Sequence, residues 1–593
     1  MPLVAKRLLM TGGAAALLAL PASGQVQNAL VPAPQNQTPP ASNTVSPAQT
    51  PAPRPAPARR PTTDLGESET LELTDVELPP PPPPIEYPEH ARRDPAVVGV
   101  LDPMGSGLGP RVWGAASGPF LSTLMRRMQT PLASRWLHIA LRNALIAEVP
   151  APRGVNGVDW AAERAWLLLR MGEAAAARML VAGVDTDRFT PKMVQVAVQS
   201  ALANSDPAGL CPLTEQMGKV EATVLPLAQA MCSALEGEPA SAGAQIDAAR
   251  RRGRVGGIDL VLAQKVVGAA SDTGRAVTVE WEPVEALSAW RFGLASATAM
   301  SPPERLVERA SPQLRAWHAR APMLPLQSRL QSARIATGLG VFSSQALVDL
   351  YSLIHDATDP NDLSGTDAWQ LRLAFAGRDQ TIRLNAMREL WERDGPSLQR
   401  EASRAMLAAA AARVIPDAEL QEDAPELIAS MLAGGLDREA AEWADAVAQM
   451  DDQYADRCWA MLALAAPDAD SVDMGSGRIS SFISRDNSPA RKRSALLVAG
   501  LAALGRIDLG SASRLNSRNG LNIERASSWA TMIDAAGSRG QSASVLVLAG
   551  TGFQAPGFEQ LPSSHLFRTV AALRKARQDF TARMIAAEAL ART

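Results

Sequence analysis

The chain has 593 residues, of which 46% are hydrophobic, 20% charged and 4% aromatic, with a formal net charge of −3. This composition belongs to a core-forming protein rather than a disordered one, and so small a net charge excludes the basic footprint of a dedicated nucleic-acid binder. At about 150 residues per domain, the length allows roughly three or four domains.

Residues 1–24 have the three parts of a secretory signal peptide. Lys6 and Arg7 form a positive start, Leu8 to Leu20 an apolar Ala/Leu-rich run, and Ala22-Ser23-Gly24 a small-residue cleavage site after Pro21. The apolar run is too short to span a bilayer comfortably. With no cysteine near the cleavage site, a lipid-modified N-terminus is not indicated. The expected location is periplasmic or otherwise exported. No later stretch reaches ~18 apolar residues, so no transmembrane segment is expected after the signal.

Residues 25–94 are rich in Pro, Ala, Thr and Ser, with an unbroken proline run from Pro79 to Pro84. Proline fixes φ and removes the backbone donor, so helix and sheet ladders are blocked. The segment is expected to be a disordered, partly polyproline II linker. It reads either as a spacer or Pro-rich ligand, or as a leader with no specific partner.

From about Val112 onward, helical patterns follow one another, and the body divides into N-terminal (95–280) and C-terminal (281–593) helical-repeat regions. Asp159, Thr190, Ser301 and Ser311 read as helix starts, the last three each followed by Pro. Gly172, Gly237, Gly253, Gly435 and Gly505 stand where apolar periodicity stops, as helix-ending glycines do. Val277-Thr278-Val279-Glu280-Trp281 is the one clear β-branched alternation. Five units share a plan: an apolar helix ends, the chain turns, and a small residue returns five positions on. The units are Trp166–Gly172 with Ala177, Ala234–Gly237 with Ala242, Met431–Gly435 with Ala440, Leu501–Gly505 with Gly510 and Ala512, and Leu573–Arg577 with Ala582. A small residue there lets two antiparallel helices approach closely. The period is irregular, so the predicted fold is all-α, an irregular α-solenoid of antiparallel helix pairs.

Cys211 and Cys232 lie on either side of a turn near Lys219–Thr223, at similar distances from it, and are the candidate disulfide in an oxidising compartment. Closing that loop would add about 3 kcal/mol in the chain-entropy treatment. Cys458 is left over and reads as a buried core thiol.

No catalytic, cofactor or metal site is indicated. The five histidines show no zinc-ligand spacing, and no nucleophile elbow or phosphate loop occurs. Gly105-Ser106-Gly107-Leu108-Gly109 reads as a flexible start of the body. The Asp359–Asp367 and Asp468–Asp473 segments lack the acid spacing of a calcium loop and read as helix-capping loops. Arg250, Arg251, Arg252 and Arg254 are the densest basic cluster, either a solvated helix end or a patch for an anionic partner; Arg491-Lys492-Arg493 is similar. Trp160 with Trp166, and Trp443 with Trp459, either line a groove or fill the core.

The signal, the Pro/Ala-rich leader and the Ala-rich helix pairs, with Cys232-Ser233-Ala234-Leu235-Glu236-Gly237 and Ala582-Arg583-Met584-Ile585-Ala586-Ala587-Glu588-Ala589 as the closest local likenesses, resemble a group of exported Ala-rich helical-repeat proteins of Gram-negative bacteria. These are sometimes labelled antifreeze-glycopeptide-like, although this body lacks the regular threonine ladder that an ice-binding helix needs. The chain more loosely resembles tetratricopeptide-type solenoids. The resemblance implies no catalytic residues. It leads to the expectation of a non-enzymatic interaction scaffold in the cell envelope, binding an unidentified protein or peptide. The alternatives are a cell-wall enzyme with a helical superstructure and a passive spacer.

Overall fold

The computed structural model describes residues 88–593 except 254, 272–277, 393, 394 and 396. The expected signal peptide, most of the expected linker, Arg254 and Val277 lie outside the described residues. The fold is all-α. Among the described residues the only strands are Val97–Val98 and Val149–Pro150, antiparallel, with Val97 opposite Pro150 and Val98 opposite Val149. Thr278–Trp281, expected to be extended, has no regular structure. Among the described residues no helix is long and apolar enough to cross a membrane.

Helix ends set the repeating geometry. In the five hairpins read from the sequence, the first helix is closed by a left-handed residue: Gly172 (φ 89°), Gly237 (86°), Gly435 (83°), Gly505 (70°) and Arg577 (60°). The following N–H then donates to the carbonyl five residues back: Glu173 to Leu168, Glu238 to Ser233 and Arg506 to Leu501 at 2.8 Å, and Leu436 to Met431 and Gln578 to Leu573 at 2.9 Å. This is the Schellman closure, which satisfies carbonyls that the helix end would otherwise leave open. Arg577 adopts it without the conformational freedom of glycine. Beyond the turn, Ala177, Ala242, Ala440 and Ala582 are all completely buried. In the fourth hairpin Gly510 is exposed, and Ala512 takes the buried place instead.

Helix starts follow the sequence less closely. The Thr190 and Ser311 hydroxyls accept from Met193 N (3.2 Å) and Leu314 N (3.5 Å). Asp159 is not a cap: Asn156 caps the Gly157–Met171 helix through Val158 N and Asp159 N. Asp159 instead accepts from the Thr190 hydroxyl at 2.7 Å, tying two helix starts together. Ser301 also fails as a cap, because that helix begins at Glu304 after Pro303.

Arginine links the helices. A helix C-terminus carries open carbonyls and partial negative charge, and a guanidinium offers five donors in a fixed fork. Arg164 donates to Leu145 O (3.0 Å), Ala147 O (3.1 Å) and Val98 O (2.6 Å). Arg506 donates to Ala463 O and Ala466 O, and Arg170 to Met128 O at 2.6 Å. Burial lowers these cations, Arg164 to about 9 and Arg506 to about 10, so carbonyl dipoles take the place of lost water.

Residues 93–593 form one unit. Packing continues past residue 280: the Gly257–Ala270 and Ala289–Ala297 helices touch, and Arg291 holds Asp259 by two 3.0 Å bonds. Within this unit the helices at the start meet those at the end. The Arg135–Leu145 helix packs on the Ser542–Gly552 and Asp579–Ala591 helices. Gly105–Gly109 is part of that junction rather than a loose leader: Leu108 O accepts from Ser542 Oγ (2.7 Å) and Gly107 O from Gln578 Nε2 (2.6 Å).

Glycine also permits close crossings. A Cβ on Gly338, in the Leu326–Leu339 helix, would lie 2.1 Å from Leu398 O in the Ser397–Ala411 helix. Backbone cannot yield there as a side chain can. Gly338→Ala should therefore lower stability by about 1–3 kcal/mol, although alanine is the better helix former. Urea unfolding checks this; an unchanged or raised midpoint would mean that the two helices do not cross so closely.

Candidate functional site

The sequence-predicted site residues fall in different parts of the body. Cys211, in the 3₁₀ segment Pro207–Leu213, is bonded to Cys232 in the Leu225–Leu235 helix, with Cα atoms 5.4 Å apart. Cys458 is free and buried, and burial pushes its thiol up to about 12. Arg250 and Arg251 end the Pro239–Arg251 helix, and Arg252 follows it; all three are exposed. Arg250 lies 3.7 Å from Asp247, one turn back. Arg254 lies outside the described residues. The tryptophans fill the core: Trp160, Trp443 and Trp459 are buried and Trp166 half-buried. Thr366, at the end of the Asp359–Asp367 loop, caps the next helix through Trp369 N at 3.2 Å. Among the described residues no group of three or more His, Cys, Asp or Glu could hold a metal ion.

The Arg491-Lys492-Arg493 run does not act as one patch. Arg491 bonds Asn519 Oδ1 (3.1 Å), Lys492 the Leu561 carbonyl, and Arg493 the Thr593 carbonyl (3.0 Å). Arg493 lines a crevice that the sequence did not reveal. This crevice, with a cavity of about 350 Å³, is walled by Ser397, Arg400, Glu401 and Arg404 of one helix, Arg457 of the Asp452–Ala465 helix, and Arg493 of the Lys492–Leu504 helix. Glu559 and the segment Ala591–Thr593 complete the wall. Five guanidinium groups from distant parts of the chain thus converge.

Behind them lies a buried ionic network. Glu426 accepts from Arg404 Nε and Nη2 at 2.8 and 2.9 Å and from Arg457 Nη2 at 2.8 Å. Burial alone would raise Glu426, but the hydrogen bonds and charges of Arg404 and Arg457 hold it below the ordinary carboxylate value. Glu588 accepts from Arg592 Nη1 at 2.6 Å. Burial works against the Arg592 cation, yet Glu588 and Glu401 keep its pKa raised. Glu401 is buried and pushed up mainly by that burial, with the neighbouring Glu588 adding to the effect and Arg592, Arg404 and Arg135 opposing it. Its closest ion pair, with Arg404 Nη1, is long at 3.9 Å.

A second cavity of about 320 Å³ shares Ser397 and Arg592 with the first. Pro131, Leu132, Leu398 and Pro556 give it apolar walls, and Gln129 and Gln554 stand among them. The first cavity is lined mainly by cations, and the second mixes apolar side chains with Gln129, Thr130, Gln554 and Arg592. The arginines of the crevice carry no local signature, because they come from four separate segments and the chain must close on itself to gather them. Compared with known proteins, the chain matches no protein family, no curated protein and no solved structure.

Proposed function

We propose that the chain is an exported, non-enzymatic helical-repeat protein that acts as an interaction scaffold for a protein or peptide partner in the cell envelope. On this reading it belongs with the exported Ala-rich helical proteins it resembles, and the Pro-rich linker sets the body's reach. The observation that supports this is how interior charge is used. Buried cations such as Arg164, Arg170 and Arg506 are held on helix-end carbonyls, which fixes helix positions and leaves the surface of a rigid helical array for contact. Photo-crosslinking in the producing cells, with probes spread over 93–593, should capture a single partner from probes clustered on one face. Diffuse or empty capture from folded, exported protein would overturn the scaffold.

The alternative of a cell-wall enzyme has one feature in its favour: Glu401, a carboxyl with raised pKa, borders a cavity, as a general acid would. Digestion of purified wall polymer decides between them. The scaffold reading expects no release of fragments.

A further inference from the structure

We propose that the arginine-lined crevice binds an oxyanion, a carboxylate or phosphate group of a small anionic ligand, with Arg400, Arg457 and Arg493 as the contacting cations. The inference stands apart from the scaffold reading and does not depend on it.

Three observations support it. Gathering five guanidinium groups around one cavity is unfavourable unless anions compensate them; the protein supplies part of this through Glu426 and Glu588 and part through Glu559 and Thr593 on the wall. Glu426 is shared by Arg404 and Arg457, and Glu588 serves Arg592. Toward the front, Arg400 is exposed and has no ion-pair or hydrogen-bond partner among the described residues. Arg457 is 42% exposed, and Arg493 uses one nitrogen on a main-chain oxygen of Thr593. Donors therefore remain for a ligand, of the type that matches carboxylate and phosphate best.

The helix that carries Arg400 suits an anion as well. The first turn of the Ser397–Ala411 helix borders the cavity, and its positive end reinforces the arginines. Burial raises the Glu401 carboxyl above its ordinary value, so it opposes an anion less than an exposed carboxylate would. The size is also right. A cavity of about 350 Å³ lies at the small end of ligand-site volumes. A neighbouring cavity, which shares Ser397 and Arg592 with the first, has room for the uncharged remainder of such a ligand.

The test is calorimetric titration of the full chain with inorganic phosphate and, separately, citrate, at ionic strength held constant with sodium chloride. Saturable binding of at least one is expected, together with a raised melting temperature. Binding of phosphate alone identifies a phosphoryl ligand, and of citrate alone a carboxylate. Arg400→Ala and Arg457→Ala should each weaken binding about tenfold, the loss expected for one charge-assisted hydrogen bond. Arg400 has no hydrogen-bond or ion-pair partner among the described residues, so its variant should melt like the parent without ligand. Arg251→Ala, at the exposed helix end elsewhere, should bind normally. The proposal fails if neither anion binds saturably, or if Arg400→Ala and Arg457→Ala bind as well as the parent.

Discussion

Glu588→Ala should destabilise the 93–593 unit by about 3–5 kcal/mol, the range for removing one member of a buried ion pair. Glu588 is 4% exposed, and it lies in the last described helix while its partners lie near the start. Its carboxylate accepts from Ser134 Oγ (2.5 Å), Arg135 N (2.8 Å) and Trp136 N (3.3 Å), as well as from Arg592 Nη1 (2.6 Å). It thus caps the N-terminus of the Arg135–Leu145 helix from across the fold, where open N–H groups and the helix dipole favour negative charge. The same helix is tied further by Arg135, which donates to Thr337 O (3.0 Å) and Ala433 O (2.7 Å), at the ends of two middle helices. Alanine would take the acceptor from the Arg135 and Trp136 amides and the Ser134 hydroxyl, and the carboxylate from Arg592, which keeps the Ala133 carbonyl at 2.8 Å. Urea unfolding should show the loss. Hydrogen exchange should speed up first in the Arg135–Leu145 and Asp579–Ala591 helices, with the Cys211–Cys232 region little changed. A loss under about 1 kcal/mol would mean that this contact does not hold the ends together.

That contact also marks how far the sequence could be read. Features set by a few neighbouring residues were legible. The apolar run, the terminal glycine and the small residue five positions on predict the hairpins at Gly172, Gly237 and Gly435, because Schellman closure is local chemistry. Cys211 and Cys232 were legible too, since their separation is only 21 residues. The Asp159 cap was misplaced by three residues because Asn156, Asp159 and Thr190 are all competent oxygen acceptors, and only packing chooses among them. Contacts such as Ser134 to Glu588, 454 residues apart, leave no periodic trace. The crevice shares that difficulty. An arginine docked on a carbonyl, such as Arg164, and one facing a cavity, such as Arg400, look alike in a sequence whose cations are almost all arginine. A solenoid pattern predicts neighbour contacts well, but not that the Arg135–Leu145 and Asp579–Ala591 helices meet.

Acid should unfold the protein in part through His318, and the direction can be worked out from its surroundings. His318 is 1% exposed; one ring nitrogen, Nδ1, faces Ser332 Oγ at 3.1 Å, and the other, Nε2, has no hydrogen-bond partner among the described residues. Burial, then the charges of Arg315 and Arg329, lower its pKa from 6.5 to about 4. The folded pKa lies below the unfolded one, so the unfolded chain takes up the proton first as pH falls. The stabilising contribution of neutral His318 is complete above about pH 6.5 and is lost progressively as pH drops toward 4. Across the whole window it amounts to about 3 kcal/mol, at 1.36 kcal/mol per pKa unit. Carboxylates elsewhere also titrate in this range, so the measurement must be a difference. The unfolding free energy of the parent should fall by about 2.5 kcal/mol more than that of His318→Asn between pH 7.5 and 4.5. The variant cannot be protonated there, while every other group is common to both proteins. Parallel pH profiles would show that His318 is charged in the folded protein or reached by water. An acid-labile core at this position would sit between the Pro312–Arg320 and Leu326–Leu339 helices, the latter being the helix whose Gly338 crosses the crevice-forming Ser397–Ala411 helix. Protonation of His318 should therefore loosen the crevice wall before the Cys211–Cys232 hairpin, and hydrogen exchange at pH 4.5 should report that order.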